Sequence, residues 1–108
     1  MKNIFVHHVF FWLKEPGNIE AAQKLTEGLL TLGKIGEVVE IHIGVPANTP
    51  REVVDNSFSH SLLTIFRDKE DHDLYQVSPI HLKFIEEYGH LWKHVVVYDC
   101  VDAKLGAK

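Results

Sequence analysis

Apolar and polar positions change their period several times along this chain, and each change marks an element. Residues 3–14, Asn-Ile-Phe-Val-His-His-Val-Phe-Phe-Trp-Leu-Lys, are β-branched and aromatic, which predicts a strand that ends at Glu15-Pro16-Gly17-Asn18. From Ile19 to about Ile35 the apolar residues Ala22, Leu25, Leu29 and Leu32 recur at the three- and four-residue steps of one helical face, with Gly33 and Gly36 as stop signals. Residues 37–45 alternate as a second strand. A polar turn region follows from Pro46 to Asn56, and a third strand from Phe58 to Arg67. Asp68, with Asp71 three residues on, opens a helix in the manner of a capping box. Proline lacks an amide hydrogen and clashes with the preceding turn, so Ser78-Pro79 breaks that helix and starts another as N-cap and first residue. The new helix has an apolar face of Ile80, Phe84, Tyr88 and Leu91, with Ile85 and Trp92 beside it. Residues 94–101 form the last strand. The order βαββαβ predicts an α+β, ferredoxin-like fold, a four-stranded antiparallel sheet with helices on one face. It occupies residues 1–102, and 103–108 is expected to be a frayed tail.

Successive strand residues point to opposite faces of a sheet. The first strand carries Phe5, His7, Val9, Phe11 and Leu13 on one face and Ile4, Val6, His8, Phe10 and Trp12 on the other, so both faces are apolar. The last strand repeats this, with Val95 and Val97 on one side and Val96, Tyr98 and Cys100 on the other. Two helices cover only one face, and soluble monomers avoid a large exposed apolar patch. Pairing with a twin sheet in a two-fold homodimer, a dimeric α/β barrel, is the simplest remedy. The competing arrangement has the 46–57 segment or the tail cover that face within one chain.

Composition narrows the function classes. The 108 residues are 45% hydrophobic and carry a formal charge of −4, which suits one globular domain and argues against a nucleic-acid partner. No apolar run reaches the roughly 18 residues of a membrane span, and the start of the chain lacks the pattern of a secretory leader. The single cysteine, Cys100, forms no internal disulfide and is expected to pack inertly in an apolar strand. The expected setting is cytoplasmic.

The chain has eight histidines, and they supply most of its candidate chemistry. His7 and His8 face opposite ways, and His90 and His94 straddle a helix end, so no metal site is expected. No nucleophile elbow, phosphate loop or cofactor motif is present, and no cofactor is expected. His7 and His60 are polar residues inside apolar stripes of neighbouring strands, positions that belong to a satisfied core histidine or to a cavity wall. Tyr75 and His81 flank the break at Ser78-Pro79, where a kink brings side chains six positions apart together. A histidine takes a proton near neutral pH and a tyrosine donates to an oxygen that gains charge, so this pair is suited to enolising a carbonyl compound. The plain alternative packs Tyr75 at a helix end with His81 against the core.

The opening His7-His8-Val9-Phe10-Phe11-Trp12-Leu13-Lys14, the Ser59-His60 strand, Tyr75 with Ser78-Pro79-Ile80-His81, and the closing Val95-Val96-Val97-Tyr98-Asp99 together resemble the stress-responsive dimeric A/B barrel family. The resemblance runs from about residue 3 to residue 101 and implies a ferredoxin-like fold paired into a dimeric barrel. A plant polyketide cyclase of that family performs an intramolecular aldol condensation without a cofactor. By similarity to its pattern, Tyr75 and His81 are implied to be catalytic and His7 and His60 to bind the ligand. Its H-P-x-H segment has Ser78 in place of the first histidine here. The implied function is a homodimer with a histidine-lined pocket for a small carbonyl or aromatic metabolite, carrying cyclase- or aldol-type acid–base chemistry. The alternatives are a stress or binding protein without turnover, and a cofactor-free monooxygenase of the related barrel type.

Overall fold

In the computed structural model, which describes residues 3–104, strand β1 (Phe5–Leu13) leads into helix α1 (Ile19–Thr31). Strands β2 (Glu40–Gly44) and β3 (His60–Phe66), helices α2 (Lys69–Gln76) and α3 (Pro79–Tyr88), and strand β4 (Trp92–Val101) follow. Single 3-10 turns at Leu32–Lys34 and Gly89–Leu91 end α1 and α3. The strands form one antiparallel sheet in the order β2-β3-β1-β4. This is the expected ferredoxin-like architecture.

The alternation in β1 decides which face is the core. Phe5, His7, Val9, Phe11 and Leu13 are all buried beneath the helices, and the intervening residues are half-buried on the outer face. Helix α1 is capped by Asn18, whose side chain accepts from the Ala21 amide at 3.0 Å. Its buried face is Ala21, Leu25, Gly28 and Leu29, so the stripe runs through Ala21, and Ala22 lies half-buried at its edge. At Gly28 a Cβ would stand 2.7 Å from the Tyr88 ring, so only glycine lets α1 and α3 approach this closely. Asp68 caps α2 by accepting from the Asp71 amide at 2.9 Å. The box is not reciprocal, because the Asp71 carboxylate turns to Arg67 Nε at 2.9 Å.

Strand β4 begins at Trp92, two residues earlier than expected, and contains a bulge. Trp12 pairs with His94 while Leu13 pairs with Trp92, so Lys93 is the extra residue. The slip changes side-chain parity. Val95, Val97 and Asp99 face the helices from odd positions, and the bulge brings even-numbered Trp92 to the same side. There its ring stacks on Phe84 (centroids 5.6 Å apart) and meets Phe11 edge-on at 5.0 Å.

The 46–57 segment accounts for part of the outer face only. Trp12 Nε1 donates to Ser57 Oγ at 3.0 Å, and Phe58 packs edge-on against Phe10 with ring centroids 5.0 Å apart. Tyr98 stays 60% exposed further along. Cys100 is also exposed on this face of the single chain. Asp102 ties the end of the domain to its beginning by accepting from the amides of Asn3 (2.7 Å) and Ile4 (3.3 Å). Of the expected tail, Ala103 and Lys104 are exposed without regular structure, and 105–108 lie outside the described residues.

Candidate functional site

The helix break brings Tyr75 and His81 together. Helix α2 ends at Gln76. Ser78 then caps α3 by accepting from the Ile80 amide at 3.3 Å, and Pro79 occupies the first helical position. Tyr75, in the last turn of α2, and His81, in the first turn of α3, meet edge to face with ring centroids 4.8 Å apart. His7 approaches the same tyrosine from β1, with its ring 5.9 Å away.

All three residues line one cavity of about 190 Å³ between β1, β4 and the α2–α3 corner. Gln76 is the other polar residue in its wall, and the rest is apolar, including Phe84, Trp92 and Val97. Its mouth lies between α3 and edge strand β4, where Ile85, Val95 and Val97 are 45%, 40% and 47% exposed.

Two polar atoms in this wall have no partner. The Tyr75 hydroxyl and His81 Nδ1 are both buried without a hydrogen bond. Buried polar groups are nearly always satisfied, so two unpaired polar atoms in the wall of one cavity are unusual. Thr64, whose hydroxyl interacts with the phenol, donates to the His7 carbonyl oxygen at 3.3 Å. Burial raises the phenol pKa above its ordinary value, with Thr64 only partly opposing it, so the group stays protonated. Burial lowers the His81 pKa, and the nearby His7 and His72 add to the effect, so its imidazole is neutral at pH 7. The corner therefore pairs a protonated donor with an uncharged base.

His7 is lowered mainly by burial, against the pull of Asp99. Its Nδ1–H donates to Asp99 Oδ1 at 2.6 Å, which leaves the lone pair of the neutral ring on Nε2. His72 lies beside it, ring centroids 4.8 Å apart, and stacks on Phe5 at 4.4 Å. An imidazole nitrogen from His7, one from His72 and a carboxylate oxygen from Asp99 all lie within 4.8 Å of one another. Of the two histidine pairs weighed in the sequence, only His7 contributes to this group. His90 sits in a 3-10 turn and His94 in β4.

His60 is not brought to the cavity. It pairs with Phe11 in the register, whereas His7 pairs with Thr64, four residues further along β3. Its Nε2–H donates to the Ala22 carbonyl oxygen at 3.1 Å and lies 3.1 Å from Thr26 Oγ1. These bonds anchor α1 to the sheet, and His60 itself lines a separate groove together with Pro16, Gln23 and Thr26. Of the residues expected at the site, Tyr75, His81 and His7 converge and His60 is a satisfied core histidine. Sequence reasoning missed Gln76, His72 and Asp99. The helical spacing of His72 and Gln76 was a usable signal, since Gln76 Nε2 donates to His72 Nε2 at 3.1 Å.

Comparison with known proteins supports the same architecture. A hydroxynitrile lyase from Passiflora edulis superposes with a TM-score of 0.81 at 20% identity, covering 99% of this chain and 100% of that one. A Dabb family protein with a ferredoxin-like fold from Mesorhizobium loti gives 0.78 at 17% identity, covering 94% and 99%. A dimeric ferredoxin-like protein of unknown function from Thermobifida fusca gives 0.76 at 12% identity, covering 94% and 92%. These identities establish a shared fold and nothing finer. No curated protein is similar enough in sequence to count as a relative. No helix among the described residues is long and apolar enough to cross a membrane. The profile of the Stress Responsive A/B Barrel Domain matches residues 5–102, the full span from β1 to the Asp102 clasp, and the chain belongs to that family.

Proposed function

We propose that this protein is a cytoplasmic homodimer that performs cofactor-free acid–base chemistry on a small carbonyl compound, with His81 as base and Tyr75 as oxygen-side donor. The observation that carries the reading is the unpaired Tyr75 hydroxyl beside the unpaired His81 Nδ1 in one cavity wall. In the reaction, neutral His81 takes a proton from the carbon next to the carbonyl. The C–H electron pair becomes the enolate, and the Tyr75 hydroxyl donates to its oxygen. Attack on a second carbonyl forms the aldol C–C bond, and protonated His81 returns its proton to the new alkoxide. His7, oriented by Asp99, and Gln76 hold the ligand.

The cavity volume bounds the substrate. A cavity of about 150 Å³ accommodates benzene, so about 190 Å³ suits a small aldehyde or ketone. The Passiflora protein is by its name a lyase of hydroxynitriles, which are adducts of carbonyl compounds, and that name is compatible with a carbonyl ligand in this cavity. Ligand binding without turnover is the second reading, favoured by the mainly apolar wall. Homodimerisation is supported by the apolar outer face of β1 and by structural neighbours described as dimeric.

Titrating labelled protein with benzaldehyde and with small methyl ketones, followed by 1H–15N spectra, tests the reading. Shifts should gather around the α2–α3 corner and β4 and disappear in His81→Ala. Shifts confined to the outer face of the sheet, or none with any of these compounds, contradict it.

A further inference from the structure

The geometry points to a binding site for one divalent transition ion of the zinc class, held by His7, His72 and Asp99 where β1, α2 and β4 meet. It rests on the placement of these groups and is independent of the carbonyl reading. Two imidazole nitrogens and one carboxylate oxygen are a donor set that suits zinc, cobalt or nickel over magnesium or calcium, which prefer oxygen. The three ligand atoms lie within 4.8 Å of one another. Tetrahedral zinc with bonds of about 2.0–2.1 Å holds its ligands about 3.3 Å apart. Closing the triangle therefore takes side-chain shifts of about an ångström, and for His7 Nδ1 and Asp99 Oδ1, now 2.6 Å apart, to bind the ion together the ring passes its Nδ1 proton to Nε2 and the two atoms move slightly apart. One carboxylate with two neutral imidazoles offsets half the charge of a divalent ion, and the half-exposed Asp99 gives the ion a way in from solvent.

The surroundings of His72 support the assignment. Its Nδ1–H donates to Asp73 Oδ1 at 3.1 Å, which fixes the tautomer and keeps the lone pair on Nε2. Metal-binding histidines characteristically donate their other ring nitrogen to such a carboxylate. That lone pair accepts from Gln76 Nε2 at 3.1 Å, a neutral bond that an ion displaces. Three protein ligands leave a fourth position for water or another small molecule. His7 belongs to both the triad and the cavity, so an ion held here lies at the cavity wall.

The test is titration of the chelator-treated full-length protein with cobalt chloride, read by visible ligand-field absorption, and with zinc chloride, read by calorimetry. One ion per chain with a tetrahedral cobalt spectrum is expected. His72→Ala should weaken binding by about 100-fold or more, since losing even an outer partner costs 10–100-fold. Asp99→Asn should do the same, and its half-exposed position keeps the fold intact if His72→Ala fails to fold. His94→Ala, on the outer face, should change nothing. Absence of binding to wild type overturns the proposal. Equal affinity in Asp99→Asn, or loss in His94→Ala, also overturns it by showing capture by surface histidines.

Discussion

His7 and Asp99 are 92 residues apart in the sequence, face each other in the β1–β4 register, and join side chains at 2.6 Å. The imidazole is buried and the carboxylate half-exposed, so the bond links the core to the solvent-exposed edge strand. Removing the carboxylate leaves a buried N–H without its acceptor, a loss of about 1–3 kcal/mol. Exposure of Asp99 places Asp99→Ala near the low end of that range. A urea midpoint lowered accordingly is expected. An unchanged midpoint would show that the bond contributes nothing.

The contact between Gly28 and Tyr88 makes a second prediction. Alanine favours an α-helix over glycine by about 1 kcal/mol, yet the added Cβ meets the aromatic ring at 2.7 Å. Overpacking of this kind costs about 1–3 kcal/mol, so Gly28→Ala should destabilise the protein. Tyr88→Ala removes the obstacle, and in that background Gly28→Ala should be stabilising. Additive effects in the double-mutant cycle would contradict the packing account.

His60 gives a pH prediction with a definite sign. Burial lowers its pKa below the ordinary 6.5, against the opposing bond to Ala22. Its contribution is fully present above 6.5, where both states are neutral. As the pH falls below 6.5 the unfolded chain takes up the proton first, and stability is lost until the pH passes the folded value. His7 and His81 are shifted in the same direction. Thermal midpoints should fall between about pH 7 and pH 5, and less steeply in His60→Gln. A flat profile, or an equal slope in the variant, would count against a neutral buried imidazole.

The outer face makes a prediction about assembly. Sedimentation should give about 25 kDa, twice the 12.4 kDa of one chain, as an isologous pair requires. Val6→Asp places a charge in the half-buried outer row and should both separate and destabilise the chains. A stable wild-type monomer at micromolar concentration would contradict the homodimer.

The parts of this structure written in local sequence were legible, and those set by register were not. The alternation in β1 separated Phe5, His7, Val9, Phe11 and Leu13 from the opposite apolar row, and the docked helices make that set the core face. The Ser78-Pro79 pair located the corner that joins Tyr75 to His81, because capping and proline geometry act over a few residues. His60 was misplaced because its neighbours depend on where β3 sits along β1. A four-residue offset is enough to send it to α1. Asp99 and His72 meet His7 only once β4 and α2 are docked. Trp92 reaches the cavity through a one-residue bulge at Lys93, which leaves no mark in the apolar pattern.

The most direct test of the central claim is exchange of the α-protons of a small methyl ketone in deuterium oxide near neutral pD, followed by proton NMR. It reads proton transfer at carbon without needing the natural substrate. General acid–base groups contribute about 10²–10⁴-fold, so exchange should exceed the buffer rate and fall by about 100-fold or more in His81→Ala and in Tyr75→Phe. Tyr75→Phe should also fold at least as stably as wild type, since it removes a buried hydroxyl that bonds to nothing. Exchange at the buffer rate in wild type, or equal exchange in His81→Ala, contradicts an acid–base site at Tyr75 and His81.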